Sequence, residues 1–221
     1  MIFAHVALVS EYPGLDPRSL MRVAAALQKQ MLRDVMPIWN VTATVSAFER
    51  LDDVPIDYWP LIVTTRDLGG QDGSHLDEHG KPYALIEAAA DWSLTASHEC
   101  IEMIVDPFGN RTIAGPSPRA DQGRVEFLVE VCDPCQSADN AYTVNDVLVS
   151  DFVTPAYFEP VCAESARYSF SGAVAESQRS NKPRAACPIE IESRLRSARP
   201  WRRTTSSARE TRRVGSTTKT W

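Results

Sequence analysis

The first 48 residues alternate between strand-like and helix-like segments, and this alternation limits the folds that the chain can adopt. Residues 2–10, IFAHVALVS, form an apolar run that predicts a strand. Asp16–Pro17 is a typical helix start, and the apolar spacing after it predicts an amphipathic helix over residues 17–35, which Pro37 should end. Residues 38–48 are rich in β-branched residues and predict a second strand. Such a β-α-β opening favours a right-handed crossover within a mixed sheet.

The rest of the chain adds strands and one more helix. Strands are predicted over residues 57–65, 82–90, 124–132 and 141–153. The polar stretch 67–81 contains four glycines and is predicted as a loop. A second helix is predicted over residues 92–105, beginning near Ser93 or Thr95 and ending at about Asp106, because Pro107 disfavours a helical residue before it. The sequence therefore predicts an α+β fold with a mixed sheet and a β-rich C-terminal part.

Charge divides the chain into an acidic body and a basic end. Residues 171–221 contain 12 Lys/Arg and 4 Asp/Glu, which leaves 11 and 25 for residues 1–170. An acidic body disfavours binding to a nucleic-acid backbone and is compatible with a cation site. The Arg-, Ser- and Thr-rich end lacks the apolar content needed to fold. We therefore predict a globular domain over residues 1–174 and a disordered basic tail over residues 175–221. This tail is either an interaction arm, for nucleic acid for example, or the product of a shifted reading frame.

Apolar runs and cysteines indicate the compartment. The sequence contains no run of 18 or more apolar residues, and its first residues lack the basic region and cleavage site of a signal peptide. Five cysteines without disulfide-framework spacing favour a reducing environment. We expect a cytoplasmic protein that does not associate with membranes.

The second predicted helix carries residues with metal chemistry, in the stretch SHECIEMIVDP. His98 and Glu102 are four residues apart, so they share one helix face about 6 Å apart and can bind one divalent ion. Glu99 stands where the general base stands in H-E-x-x-H proteases, although the second histidine is replaced by a carboxylate. Asp106 lies about 12 Å along the helix from His98, too far to share the ion, and should instead organise the turn after it. The missing ligand is predicted to be Glu130 or Asp133, in the stretch EVCDPC.

These two stretches resemble a known pattern, S-H-E-x-x-E-x-x-x-D-P followed by E-x-x-D-x-C. It occurs in phosphate-induced (exordium-like) proteins and in uncharacterised bacterial and phage proteins, which are similar to zincin metallopeptidases. The matching residues are Ser97, His98, Glu99, Glu102, Asp106, Pro107, Glu130, Asp133 and Cys135. The resemblance implies a zincin-like mixed sheet in which an edge strand precedes the metal-binding helix. It also implies a bound zinc ion and a peptide or protein substrate.

Two hypotheses of function follow. The first is a metal-dependent hydrolase, a zincin-like peptidase in which Glu99 takes a proton from a metal-bound water. Asp106, Cys135 and Tyr157 are supporting residues, with Tyr157 or Tyr142 as a donor to an oxyanion. The second hypothesis is a non-enzymatic phage or mobile-element protein that keeps the scaffold with a structural ion or a salt-bridge cluster.

Other polar residues have simpler explanations. Cys132 and Cys135 form a C-x-x-C without a second such pair, which gives little support for a redox or metal-binding role. Cys135 is instead predicted to be a small buried residue. His75 and His79 could line a cleft, but the glycine-rich loop around them predicts a surface position. His5 is predicted as a core histidine within the first strand.

Overall fold

A five-stranded sheet forms the centre of the molecule, with the strand order β2-β1-β3-β5-β4. The structure is a computed structural model and describes residues 2–117, 119, 121–159 and 165–177. The strands are β1 (Ile2–Ser10), β2 (Val41–Phe48), β3 (Trp59–Thr64), β4 (Gly73–Glu78) and β5 (Lys81–Glu87). β1, β2, β3 and β5 are parallel, whereas β4 is antiparallel to β5 at the sheet edge. The predicted mixed sheet is confirmed.

The prediction of a loop over residues 67–81 was wrong, because residues 73–78 form the edge strand β4. His79 and Gly80 connect β4 to β5 with positive φ angles of 54° and 77°. Positive φ at both central residues is typical of the two-residue turns that suit hairpin twist. Edge strands often carry polar and charged side chains, which discourage pairing with another chain. The sequence of a polar edge strand therefore resembles that of a loop.

The first helix is longer than one regular α-helix. Helix α1 (Pro17–Gln30) continues through a π-helical turn, Met31–Val35, into the short helix α2 (Met36–Trp39). Pro37 does not end the helix, contrary to prediction, because it lies in the first turn of α2, where a missing N–H does least harm. The helix ends at Asn40, whose left-handed φ is 54°. Strand β2 consequently begins at Val41 instead of residue 38.

Helix α3 (Trp92–Val105) lies beside α1 and packs on β3, β4 and β5. Its bounds agree with the prediction, but its N-cap is Asp91, without a side-chain cap hydrogen bond, and not Ser93 or Thr95. The fully buried side chains of the core come from both helices and the sheet: Val6, Leu8, Leu27, Met31, Leu61, Ile86, Ile101 and Ile104. α3 is thus fixed within the core, and its polar residues have fixed surroundings.

The C-terminal part consists of two hairpins and irregular segments. The first hairpin pairs β6 (Thr112–Pro116) with β7 (Arg124–Leu128), and the second pairs β8 (Tyr142–Val144) with β9 (Val147–Val149). The predicted strand 124–132 therefore ends four residues early. The predicted strand 141–153 is interrupted by a turn at Asn145–Asp146, where both φ angles are positive, 50° and 58°.

Residues 165–177 pack against this C-terminal part. Val153 forms a β-bridge with Ser169, and the rings of Phe152 and Phe170 stack with centroids 5.4 Å apart. The predicted tail lies outside the described residues from residue 178 onward. Within the described ranges, no helix is both long enough and apolar enough to cross a membrane.

Candidate metal centre

One face of α3 carries the predicted metal-binding residues. The Nε2 atom of His98 lies 3.2 Å from Oε2 of Glu102, one helical turn further on. Asp133 brings its Oδ1 atom to 3.5 Å from the same His98 nitrogen. One ligand atom from each of these three residues lies within 4.8 Å of the other two. Three of the four residues predicted as ligands therefore lie close to one another.

Glu102 connects the helix to the segment that provides Asp133. Its Oε1 atom accepts hydrogen bonds from the backbone N–H groups of Cys132, at 2.9 Å, and Asp133, at 3.3 Å. Asp133 then begins a 3₁₀ turn, Asp133–Cys135, which reverses the chain. Oε2 of Glu102 is the oxygen that faces the histidines.

Glu130 is not part of the His98 group, although the sequence predicted it as an alternative ligand there. It groups instead with Glu102 and with His75, a residue that was predicted to lie in a surface loop. The two nitrogens of His75 approach three carboxylates: Nδ1 is 3.5 Å from Glu99 Oε2 and 3.7 Å from Glu102 Oε2, and Nε2 is 3.9 Å from Glu130 Oε2. His79, in contrast, is exposed in the turn after β4.

Gly73 allows β4 to lie against α3 at this point. Its φ angle is not in the left-handed region, so the requirement for glycine concerns space. A Cβ atom there would lie 2.6 Å from Cγ2 of Thr95 and 2.8 Å from Cγ and Oε1 of Glu99. Gly73 and His75 are two residues apart on an extended strand, so they point to the same side, toward α3. The sequence signal that could have identified this hairpin is the x-Gly turn of His79 and Gly80 just before β5.

The two glutamates on the helix have opposite electrostatic surroundings. Burial raises the pKa of Glu99, against the opposing effect of the two histidines. For Glu102, burial is overcome by the positive charge of His98, by its hydrogen bond and by the backbone N–H groups, and the pKa is lowered to about 2. Neighbouring carboxyl groups with separated pKa values are typical of sites that use one as a fixed anion and the other as a proton carrier.

The second group has equally perturbed protonation. Burial and the charge of Glu102 raise the pKa of Glu130 to about 9. Burial alone would lower the pKa of His75, but Glu99, Glu102 and Glu130 raise it to about 9. Oε2 of Glu130 is buried and has no hydrogen-bond partner among the described residues. Without a bound cation, His75 and Glu130 therefore both keep their protons at neutral pH.

The supporting residues are placed as follows. Asp106 accepts hydrogen bonds from the backbone N–H groups of Asn110, at 3.2 Å, and Arg111, at 2.9 Å, so it organises the turn after α3 as predicted. Cys132 and Cys135 are both buried, and neither forms a disulfide bond. Tyr157 is buried with its ring edge-on to Phe158.

A buried polar network fixes α3 from the other side. Ser97, next to His98, donates to Oε1 of Gln30 at 2.8 Å and accepts from the backbone N–H of Ser150 at 2.9 Å. The amide nitrogen of Gln30 donates to the Ser150 carbonyl and to the Tyr142 hydroxyl, both at 3.0 Å. Tyr142 donates in turn to Asp34 at 2.9 Å, so its hydroxyl is engaged in this network.

The chain was compared with protein-family models, with curated proteins and with solved structures, and none of the three comparisons gave a match. What the site can do is therefore inferred from its own side chains. Imidazole and carboxylate groups are the ligands that divalent transition metals accept. The His98 group is also open to solvent on one side, since the side chains of His98 and Asp133 are 16% and 28% exposed. These residues could hold a metal ion that solvent can reach.

Proposed function

We propose that this chain is a metal-dependent hydrolase, a zincin-like peptidase with an H-E-x-x-E site. In this proposal, His98, Glu102 and Asp133 hold a zinc ion, and Glu99 is the general base. The observation that carries the proposal is the convergence of the three ligand atoms within 4.8 Å of one another, beside Glu99 on the same helix.

The spacing of the ligand atoms supports zinc. Tetrahedral zinc with bonds of about 2.0–2.2 Å has ligand atoms about 3.3–3.6 Å apart. The His98 nitrogen lies 3.2 Å from the Glu102 oxygen and 3.5 Å from the Asp133 oxygen. The partial exposure of Asp133 leaves room for a fourth ligand, which in catalytic zinc sites is water or substrate.

Glu99 has the properties expected of the general base. It follows His98 directly on α3, is buried, and has a pKa raised by that burial. A raised pKa lets a carboxylate accept a proton and return it near neutral pH. Nδ1 of His75 lies 3.5 Å from Oε2 of Glu99 and holds that oxygen in place. A bound divalent ion supplies Lewis-acid polarisation of a carbonyl and a more acidic water.

The scaffold supports the peptidase class within this proposal. The resemblance noted in the sequence implies an edge strand before the metal-binding helix, and β4 is an antiparallel edge strand in contact with α3. A zincin-like fold with a peptide substrate is the interpretation that joins this arrangement to the H-E-x-x-E motif.

The first experiment is a metal analysis by mass spectrometry of wild type beside His98→Ala, after dialysis against zinc. We expect bound zinc in the wild type and loss of the ion at this site in the variant. His79→Asn is the matched control, because it removes an exposed imidazole from a left-handed position that Asn tolerates. A wild-type chain that binds no divalent ion would refute the proposal.

A hydrolysis screen then tests the assigned base. Peptide libraries with a fluorescent reporter should be cleaved by wild type and, roughly 10²–10⁴-fold more slowly, by Glu99→Gln. The variant should keep its metal, since Glu99 is not a ligand in this proposal. Equal cleavage rates in both proteins would remove Glu99 from the mechanism.

One observation favours a second candidate, a non-enzymatic protein that keeps the scaffold with a salt-bridge cluster. Burial lowers the pKa of His98, but the charge of Glu102 and the hydrogen bonds to Asp133 and Glu102 outweigh it and raise the pKa. A protonated His98 can therefore pair with both carboxylates without a metal. A phage or mobile-element component could use such a cluster structurally. Metal-free protein with the thermal stability of zinc-loaded protein, and with no hydrolytic activity, would establish this alternative.

A further inference from the structure

The potential ligand atoms around α3 form two groups that share Glu102. The first contains His98 and Asp133, and the second contains His75 and Glu130. Oε2 of Glu102 lies 3.2 Å from Nε2 of His98 and 3.7 Å from Nδ1 of His75. Because Oε1 of Glu102 is occupied by two backbone N–H groups, the single atom Oε2 faces both histidines.

We propose that His75, Glu102 and Glu130 hold a second divalent transition-metal ion, so that Glu102 bridges a two-ion centre. The inference extends the proposed function and rests on it for the first ion. Two ions bound to one oxygen at about 2.0–2.2 Å each are at most about 4.0–4.4 Å apart, and a bent ion–oxygen–ion angle brings them to about 3.5–4 Å. That spacing is the one found in two-metal hydrolytic sites.

Glu130 provides an independent reason for a second ion. Its Oε2 atom is buried, and no hydrogen-bond donor contacts it among the described residues. Nε2 of His75 lies 3.9 Å from this oxygen, too far for a hydrogen bond. A buried carboxylate oxygen without a partner is costly, and a cation between Glu130 and His75 would supply the missing partner.

The charge of the pocket also fits two ions. Four carboxylates, from Glu99, Glu102, Glu130 and Asp133, surround two imidazoles. With neutral imidazoles, one divalent ion leaves two negative charges in a largely buried pocket, whereas two divalent ions balance all four. Buried charges of one sign are unfavourable unless they are paired.

The second group has wider spacings than the first. The His75 nitrogens lie 3.7 Å from the Glu102 oxygen and 3.9 Å from the Glu130 oxygen. The first distance is measured from Nδ1 and the second from Nε2, and an imidazole binds one ion through a single nitrogen. One ligand atom from each of the three residues nevertheless lies within 4.8 Å of the other two. We therefore expect the first ion to bind more tightly than the second.

The test counts ions and detects their proximity. Purified full-length chain is stripped with a chelator and titrated with Zn²⁺ or Co²⁺ alone, and bound ions are measured by mass spectrometry. We expect two ions per chain in wild type, one in Glu130→Gln or His75→Ala, and none in Glu102→Gln. Glu126→Gln is the control, since Glu126 is an exposed glutamate on β7, and it should keep both ions.

Co²⁺-loaded wild type should also show spin coupling between the two ions by electron paramagnetic resonance, and Glu130→Gln should show an isolated ion. Glu130→Gln preserves side-chain shape, so it decides the question if His75→Ala fails to fold. One ion in wild type that Glu130→Gln retains but His98→Ala loses would overturn the second site and leave the proposed function intact. No ion in wild type would overturn both.

Discussion

Replacement of Gly73 by alanine tests the contact between the edge strand β4 and helix α3. The added Cβ would lie 2.6 Å from Cγ2 of Thr95 and 2.8 Å from two atoms of Glu99. Distances this short require a shift of β4 or of the two side chains. Thr95 is β-branched and stiff, and Glu99 is buried, so neither side chain moves freely.

The size of the effect follows from two opposing contributions. Overpacking a filled site costs about 1–3 kcal/mol, whereas the Gly→Ala change stabilises by about 0.4–1 kcal/mol through the unfolded chain. The midpoints of these two ranges leave a net loss of about 1.3 kcal/mol, so the melting temperature should fall by about 3–5 °C in a domain of this size. If the proposed function holds, displacement of Glu99 should also lower the rate of hydrolysis.

Thermal unfolding followed by circular dichroism measures the loss, with two comparison variants. Ser74→Ala changes the next residue of β4, which points to the opposite side, and should change stability by less than about 0.5 kcal/mol. Thr95→Ser removes the closest methyl group, so the double variant Gly73→Ala/Thr95→Ser should recover part of the lost stability. An unchanged melting temperature in Gly73→Ala, or strict additivity in the double variant, would refute the described packing.

Two further predictions concern stability. Asp106→Ala removes the acceptor for the backbone N–H groups of Asn110 and Arg111, so the free energy of unfolding from urea titration should fall by about 1–3 kcal/mol; an unchanged value would show that water replaces the carboxylate. In chelator-treated protein, His75 stabilises the fold fully below its ordinary pKa of 6.5, and this contribution is lost as the pH rises through about 9. That rise in pKa corresponds to about 3 kcal/mol. His75→Ala should show a smaller alkaline loss, and an identical pH profile would contradict the assignment.

The parts of the fold that could be predicted are those in which burial determines residue spacing. The apolar residues of α1, including Leu20, Val23 and Leu27, recur at helical intervals because they face the core. The same period places His98 and Glu102 on one face of α3, so their contact followed from local geometry. The long-range ligand was predicted only as one of two alternatives, Glu130 or Asp133, in the stretch EVCDPC.

The parts that could not be predicted depend on tertiary contacts. His75 lies in a polar stretch, and its position depends on the pairing of β4 with β5, in which His75 lies opposite Ala84. No local pattern predicts that Glu130 and Asp133 join different groups of ligand atoms. Their placement results from the hydrogen bond between Glu102 and the backbone N–H of Cys132, and from the 3₁₀ turn that follows. Pro37 did not end the helix because it lies in the first turn of α2, which directly follows the π-helical turn.

The network around Gln30 has a consequence for how the chain can be divided. Gln30 is fully buried, and its amide contacts residues 67, 112 and 120 positions away along the sequence. A fragment that ends before residue 142 would leave Gln30 and Ser97 without their C-terminal partners, at a cost of about 1–3 kcal/mol for each buried group left unsatisfied. We therefore expect the sheet and the second C-terminal hairpin to unfold together. A ribosome must release the second hairpin before the helix that carries His98 reaches its final stability.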